Sequence, residues 1–121
     1  MPGSYRDLVV WQKSIGLSLL VYELTDNFPS EEKYGLSAQM RRSAVSIASN
    51  IAEGKMRGYN KEFRKFLLIA YGSAAELDTQ ITIAKQLTST SSCDYTGIEP
   101  LLEEILKMLN RLIGQVGSAN G

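Results

Sequence analysis

A chain of 121 residues, 44% of them hydrophobic and 21% charged, is long enough to form one globular domain with a substantial core. Its 13 basic and 13 acidic residues cancel, and histidine is absent. The absence of histidine excludes His-dependent hydrolytic triads and histidine-ligated metal sites, so we expect no catalytic residue, no metal and no cofactor. The single cysteine, Cys93, has no intrachain partner for a disulfide.

The apolar residues of the chain form no run near the roughly 18 residues that a membrane span requires. Asp7 and Lys13 interrupt the N-terminal region where a signal peptide would lie. We therefore expect a cytoplasmic protein that does not interact with membranes.

Apolar periodicity predicts four helices and no strand. The first covers about residues 7–27 and ends at Phe28-Pro29, because the residue before proline is disfavoured in the α region. Its main stripe has helical spacing and consists of Leu8, Trp11, Ile15, Leu19 and Tyr22. The second helix follows a predicted N-cap at Ser37 and stops at Gly54 or Gly58.

The third helix is predicted from an N-cap at Asn60 to about residue 87, with Gly72 allowing a close helix contact. Its core heptad consists of Phe63, Ala70, Leu77 and Ala84, and two members of the neighbouring Phe66 row, Ser73 and Gln80, are polar. Residues 88–95 (TSTSSCDY) read as a flexible polar connection. Thr96 and Glu99 then form a predicted capping box for the fourth helix, and residues 117–121 form a frayed tail.

The connections between the predicted helices, near residues 28–36, 55–60 and 88–97, are all short. Short connections favour antiparallel neighbours, so the predicted fold is all-α, an antiparallel up-down-up-down four-helix bundle in a single domain over residues 1–121. Helices one and four carry more apolar residues than one core face needs. We expect that surplus to be buried between subunits of a homo-oligomer; a monomer with a generous core is the alternative.

A polar row on the second helix faces polar positions on the third helix, and such a row costs free energy when buried without partners. We expect a structural polar network in which Arg41 or Arg42 pairs with one of the carboxylates. A ligand site on the same row is the alternative. The network is predicted to consist of Arg41, Arg42, Ser46, Asn50, Glu53 and Glu76.

Charge is distributed unevenly, because residues 41–65 contain seven basic and two acidic residues, a net charge of +5. Such a basic segment is typical of a surface that contacts phosphates; a solvated surface with internal ion pairs is the alternative. The predicted phosphate contacts lie around the turn between helices two and three: Lys55, Arg57, Lys61, Arg64 and Lys65. Tyr59 is the only aromatic residue at this turn that could stack on a base, so we expect little sequence readout.

Several linked motifs in the first 87 residues resemble those of one protein family. They lie at residues 8–13 (LVVWQK), 22–25 (YELT), 28–29 (FP), 34–36 (YGL), 39–44 (QMRRSA), 46–47 (SI), 50–54 (NIAEG), 63–67 (FRKFL) and 72–77 (GSAAEL). The family is that of the four-helix-bundle proteins of bacterial 23S ribosomal RNA intervening sequences. This resemblance implies a homopentamer without an established enzymatic activity. A related protein, the accessory variability determinant of diversity-generating retroelements, is a pentameric barrel that binds nucleic acid and a reverse transcriptase.

Three functions are therefore considered. The first is a non-enzymatic homopentameric module that binds RNA or DNA through the basic turn between helices two and three. The second is an oligomeric scaffold for a protein partner without nucleic-acid binding. The third is an enzyme that uses Glu53 and Glu76 as acid and base.

Overall fold

The computed structural model describes residues 4–117. Four helices account for most of this range: α1 (Val9–Asp26), α2 (Leu36–Met56), α3 (Asn60–Gln86) and α4 (Ile98–Gly117). Short 3₁₀ turns at Tyr5–Asp7 and Ser30–Glu32 precede α1 and α2. The described part of the chain contains no strand. The predicted all-α fold and the positions of the three connections are confirmed, and the tail beyond Gly117 lies outside the described residues.

Contacts between the helices show an antiparallel arrangement. Each helix packs against two neighbours, in the cyclic order α1, α2, α3, α4. Between α2 and α3, Ser46 pairs with Ser73 and Ser43 with Glu76, so positions rise along one helix as they fall along the other. At the two ends of α4, Lys85 of α3 pairs with Glu99, and Arg64 of α3 lies against Gly117. The bundle is therefore up-down-up-down.

The face that α1 turns to the core differs from the predicted stripe. Ile15, Leu19 and Tyr22 are 38, 63 and 43% exposed, whereas the buried face consists of Val10, Ser14, Leu17, Val21 and Leu24. Both stripes keep a spacing of three and four, so periodicity alone does not separate them. The buried stripe contains Ser14, whose hydroxyl donates a hydrogen bond to the carbonyl of Val10 at 2.7 Å. Because of this hydrogen bond, the buried hydroxyl is not left unpaired in the core.

The apolar surplus predicted for α4 is only partly exposed. Leu101, Leu106, Met108 and Leu112 are partly buried against the core, and no large apolar side chain of this helix is among the exposed ones up to Gly117. The exposed large apolar side chains of the helices lie on α1, α2 and α3. Part of the surplus on α4 is therefore packed within the bundle, and its burial between subunits stays a prediction.

Several predicted helix ends also need correction. Gly35 precedes α2 while Ser37 is buried inside it. Of the two predicted stops, α2 passes through Gly54, and Gly58, with a φ of 89°, follows its end at Met56 and the C-cap Arg57, so the Gly58 alternative is confirmed. Asn60 is the first residue of α3, after the extended residue Tyr59. The hydroxyl of Thr96 donates to Asp94, so it does not form a capping box with Glu99.

The connection between α3 and α4 is anchored, in contrast to the predicted flexible segment. Thr90 is fully buried and donates to the carbonyl of Ala84 at 2.6 Å. The buried Tyr95 in turn donates its hydroxyl proton to the carbonyl of Thr90 at 2.8 Å. These hydrogen bonds satisfy polar groups that the connection carries into the core, which fixes its path.

A polar seam joins α2 to α3. The hydroxyls of Ser46 and Ser73 lie 2.9 Å apart, and the amide of Asn50 donates to both the hydroxyl and the carbonyl oxygen of Ser46. Toward the N-terminal end of α2, Ser43 donates to Glu76 at 3.3 Å. Ser46, Asn50 and Glu76 therefore make hydrogen bonds along the α2–α3 contact.

The other three residues of the predicted network lie elsewhere. Arg41 points to α1, where its guanidinium donates to Thr25 at 2.7 Å and to Asp26 at 2.8 Å. Glu53 forms an exposed ion pair with Arg57 at 3.0 Å. Arg42 is exposed and forms no ion pair within residues 4–117. The predicted pairing of Arg41 with a network carboxylate is wrong, because on a helix Arg41 faces a different neighbour from Ser46 and Asn50.

Helices α2 and α3 approach each other closely at Gly54, and this contact predicts the effect of adding a methyl group there. A Cβ at this position would lie 2.6 Å from the Cβ of Phe66 and 3.3 Å from Phe63. Gly54→Ala should lower the free energy of unfolding by about 1–3 kcal/mol, because the two helices must separate. The measurement is urea unfolding followed by circular dichroism.

Gly114→Ala is the matched control, since nothing lies within 4 Å of the corresponding Cβ on the outer side of α4. It should leave stability unchanged or raise it by up to about 1 kcal/mol. Equal effects of the two substitutions would contradict the close approach. Gly72, which the sequence predicts to allow such a contact, also has nothing within 4 Å.

The polar seam generates a second stability prediction. Ser46→Ala should cost about 1–3 kcal/mol, because it removes the partner of Ser73 and one acceptor of Asn50. Glu53→Ala should change stability by less than about 0.5 kcal/mol, because it removes only an exposed ion pair. Chemical denaturation measures the free energy of unfolding of the two variants. If Ser46→Ala leaves this free energy unchanged, the seam does not stabilise the fold.

Candidate nucleic-acid interface and the cleft between α2 and α3

The turn between α2 and α3 is tight and brings basic residues to one end of the bundle. The backbone N–H of Arg57 closes the last turn of α2 on the carbonyl of Gly54. Gly58 follows with a φ of 89°, a conformation that glycine adopts without strain, and Tyr59 is extended. The five predicted phosphate-contacting residues, Lys55, Arg57, Lys61, Arg64 and Lys65, therefore lie within one turn and the ends of the two helices it joins.

Arg57 is the one member of this group whose charge is compensated. Its guanidinium lies 3.0 Å from the carboxylate of Glu53 and 4.0 Å from that of Glu62, and it also stacks over the ring of Phe66. Two carboxylates near one guanidinium leave little positive potential for a ligand. These contacts hold the turn together, and a contact of Arg57 with phosphate stays a prediction.

The other four cations, Lys55, Lys61, Arg64 and Lys65, have no carboxylate within ion-pair distance in the described part of the chain. Lys55 lies 5.4 Å from the ring centre of Phe63, and Lys65 lies 5.7 Å from that of Phe66. These cation–π contacts orient the two ammonium groups. Arg64 is directed toward the end of α4, since a Cβ at Gly117 would lie 2.7 Å from its Nε.

An exposed aromatic side chain stands beside these cations. Tyr59 is 65% exposed and lines a shallow depression of about 210 Å³ together with Lys55 and Asn60. Phe63 and Phe66 are buried and cannot serve as stacking platforms. The turn thus offers one stacking surface among several cations.

A separate cleft of about 430 Å³ opens between α2 and α3, lined by Gln39, Arg42, Ser43, Ser46, Glu76 and Gln80. Gln80 is only 7% exposed, and its side-chain oxygen is buried without a hydrogen-bond partner in the described part of the chain. The sequence shows Gln80 as a polar member of an apolar row but does not assign it to a site. The one signal is that a glutamine occupies a core-facing position of α3.

The two carboxylates of the acid–base hypothesis are not adjacent. Glu76 contacts Ser43, whereas Glu53 lies ten residues further along α2, about 15 Å at 1.5 Å per residue. Within residues 4–117, no group of three or more acidic or cysteine side chains is arranged to hold a metal ion. None of the four helices is long and apolar enough to cross a membrane in the described range.

Shifted pKa values occur outside both surfaces, in the connection between α3 and α4. Hydrogen bonds from the hydroxyl and the backbone N–H of Thr96 lower the pKa of Asp94. Burial raises the pKa of Tyr95. Both shifts belong to the anchoring of this connection and not to a binding surface.

The comparisons with known proteins agree with the fold. A crystal structure of a protein of unknown function from the S23 ribosomal protein family of Bacteroides thetaiotaomicron superimposes with a TM-score of 0.72 and 26% sequence identity. The superposition covers 87% of this chain and 98% of the other. A comparison with curated proteins gives no significant match. Residues 6–111 match the model of one family, and the chain therefore belongs to the 23S rRNA-intervening sequence protein family.

Proposed function

We propose that this protein is a non-enzymatic, self-assembling module that binds the phosphates of RNA or DNA at the turn between α2 and α3. The observation that carries this proposal is the group of four cations, Lys55, Lys61, Arg64 and Lys65, at one end of the bundle, which have no carboxylate partner among residues 4–117. A protein of zero net charge has no general attraction for polyanions, so such a local excess is what a phosphate would meet. The module uses no cofactor and works in the cytoplasm.

Self-assembly is supported by a first apolar surface, the α1–α2 patch, defined by Ile15, Leu19, Tyr22 and Val45. All four side chains are between 38 and 63% exposed. The patch is continuous across the two helices because Arg41, one turn before Val45, lies 4.5 Å from the ring centre of Tyr22. An exposed apolar surface of this kind in a polar surrounding marks a protein interface.

A second uncharged surface, the α3 patch, lies on the outer side of α3 and is defined by Leu68, Gly72, Ala75 and Thr79. Spacings of four, three and four place these exposed residues on one stripe. Two different patches on different helices suit a heterologous contact, in which the α1–α2 patch of one subunit covers the α3 patch of the next. Heterologous contacts that close form rings, and the family resemblance sets the number of subunits at five.

Ring formation would change the energetics of binding. Each subunit contributes only four uncompensated cations, which alone bind nucleic acid weakly at physiological salt. Five copies on one ring act on the same strand, so the second and later contacts form at high effective concentration.

A scaffold for a protein partner remains the second candidate function. It is favoured by the zero net charge and by the neutralisation of Arg57 by Glu53 and Glu62. In that case the turn is a solvated surface, and the ring presents a protein-binding face.

Removing the free lysines of the turn should weaken nucleic-acid binding. The triple substitution Lys55→Ala, Lys61→Ala and Lys65→Ala should lower affinity for single-stranded RNA or DNA. It should also make the salt dependence shallower by about one for each phosphate that the protein no longer neutralises. Fluorescence anisotropy across a salt series measures both quantities, and light scattering checks that assembly is unchanged.

The matched control removes the same charge elsewhere: Lys33→Ala, Lys85→Ala and Lys107→Ala. Lys85 and Lys107 form exposed ion pairs with Glu99 and Glu103, so their loss costs little stability. If the two triple variants lose the same affinity, the loss comes from the change in net charge and not from the position of the lysines. If the unmodified protein binds no nucleic acid even at low salt, the nucleic-acid-binding function is rejected and the scaffold function is favoured.

The heterologous contact predicts an unusual result on mixing. Leu19→Glu in the α1–α2 patch and Leu68→Glu in the α3 patch should each give monomers, because either change buries an unpaired carboxylate at the interface. Each variant keeps one intact patch, so an equimolar mixture should form a one-to-one dimer. Light scattering at micromolar concentration measures the molar mass of each variant alone and of the mixture.

Val9→Glu is the control, since Val9 is 51% exposed on α1 but lies on the side of α4, next to Met108 and Leu112. It should leave the assembly intact. A monomeric wild type contradicts self-assembly altogether, and dimers of Leu68→Glu alone would indicate that the α1–α2 patch pairs with itself.

A further inference from the structure

An arginine outside the basic segment is held in place by two aromatic rings. The guanidinium carbon of Arg6 lies 5.4 Å from the ring centre of Tyr5 and 5.6 Å from that of Trp11. The two rings also contact each other edge to face, with their centres 5.2 Å apart. A guanidinium that packs on aromatic rings keeps the N–H groups at its outer edge free to donate hydrogen bonds.

The backbone of Arg6 is fixed as well, and the charge of its side chain is not compensated. Its N–H donates to the hydroxyl of Ser4 at 3.2 Å, and its carbonyl accepts a hydrogen bond from the side chain of Gln12 at 2.8 Å. Arg6 is exposed and forms no ion pair within residues 4–117, although Asp7 is its neighbour in the chain. Because part of its freedom is already lost, less side-chain entropy is lost when it binds a ligand.

The 3₁₀ turn that contains Arg6 lies at the same end of the bundle as the basic turn. At the other end, Arg41 of α2 pairs with Asp26, the last residue of α1. Val9 lies 17 residues before this contact and Gly58 lies 17 residues after it, so the two are level in an antiparallel pair. The 3₁₀ turn also packs directly against α2. Arg6 therefore adds a cation to the four that the basic turn presents.

We propose that Arg6 is a phosphate-binding residue, and that it contacts the strand whose neighbouring phosphates bind at the turn between α2 and α3. A guanidinium donates two parallel hydrogen bonds to a phosphate, whereas an ammonium acts as a point charge. Adjacent helices in a bundle are about 8–10 Å apart, so a strand would pass from the turn to Arg6 within about three nucleotides at 3.4 Å each. The contact with a strand rests on the proposed function; the affinity of Arg6 for phosphate does not.

Trp11 reports on an anion at Arg6, because it is the only tryptophan of the chain and its ring lies against the guanidinium. Titration of the intact protein with inorganic pyrophosphate should change the tryptophan emission in a saturable way. Sodium chloride at the same ionic strength should not, because chloride cannot accept the paired hydrogen bonds of a guanidinium. Arg6→Gln should abolish the pyrophosphate response, and its circular dichroism should show a folded bundle.

A single strand of about twelve thymidines, measured by fluorescence anisotropy, tests the contact with nucleic acid. Arg6→Gln should lower the affinity about tenfold and reduce the salt slope by about 0.7, the value for one phosphate of a single strand. Arg6→Lys should keep the slope but lose part of the affinity, because it keeps the charge without the paired donors. Arg42→Gln is the matched control, an exposed arginine nearer the opposite end of α2, and should change neither.

The two measurements separate this inference from the proposed function. Equal strand affinities of the wild type and Arg6→Gln, without a pyrophosphate response, overturn the inference and leave phosphate binding at the turn intact. A pyrophosphate response without strand binding has the opposite meaning: Arg6 binds phosphate and the proposed function fails. If Arg6→Gln is monomeric in light scattering while the wild type is not, Arg6 belongs to a contact between subunits, and the inference is again overturned.

Discussion

The close approach of α2 to α3 at Gly54 is the constraint on which the rest of the structure depends. With no side chain at this position, the backbone of α2 comes within van der Waals distance of Phe63 and Phe66. This contact fixes the register of the two helices only a few residues before the chain turns. The register then places Ser46 opposite Ser73 and Ser43 opposite Glu76, and it places Gln39 and Gln80 together at the cleft. The turn and the cleft are therefore two ends of one rigid helix pair.

Much of this fold could be predicted from the sequence, because helix number and chain order depend on local signals. Proline after Phe28, the glycine at Gly58 and the polar run at residues 88–95 each mark a place where a helix cannot continue. The orientation of α1 could not be predicted, because two apolar stripes have the same period. Ser14 is polar for a core position, yet its hydrogen bond to Val10 removes the cost of burying it. Tertiary packing selected the stripe that the local pattern left open.

The candidate site was predictable in its charges but not in its pairings. Clustering of cations in residues 55–65 is visible in the sequence, since residues close along a short turn remain close in space. Which cation is neutralised depends on helix geometry, which puts Glu53 one turn from Arg57 and brings Glu62 across the turn. The environment of Gln80 depends on even longer-range information. Only the packed pair of helices shows that its side-chain oxygen is buried without a hydrogen-bond partner among residues 4–117.

The zero net charge of the chain does not describe the electrostatic field at the turn, because the charges are unevenly placed on the bundle. At an ionic strength of 0.15 M, fields decay over about 8 Å, so a ligand at the turn is affected by its nearest charges and hardly by those of α4. Acidic side chains outside residues 41–65 outnumber the basic ones there and balance the total without cancelling the local excess at Lys61 and Lys65. On the proposed function, a neutral protein with one basic end would attract a polyanion at that end and not over the rest of its surface. In a closed ring, that place would occur once per subunit, so the arrangement favours an oriented strand over indiscriminate coating of the protein by nucleic acid.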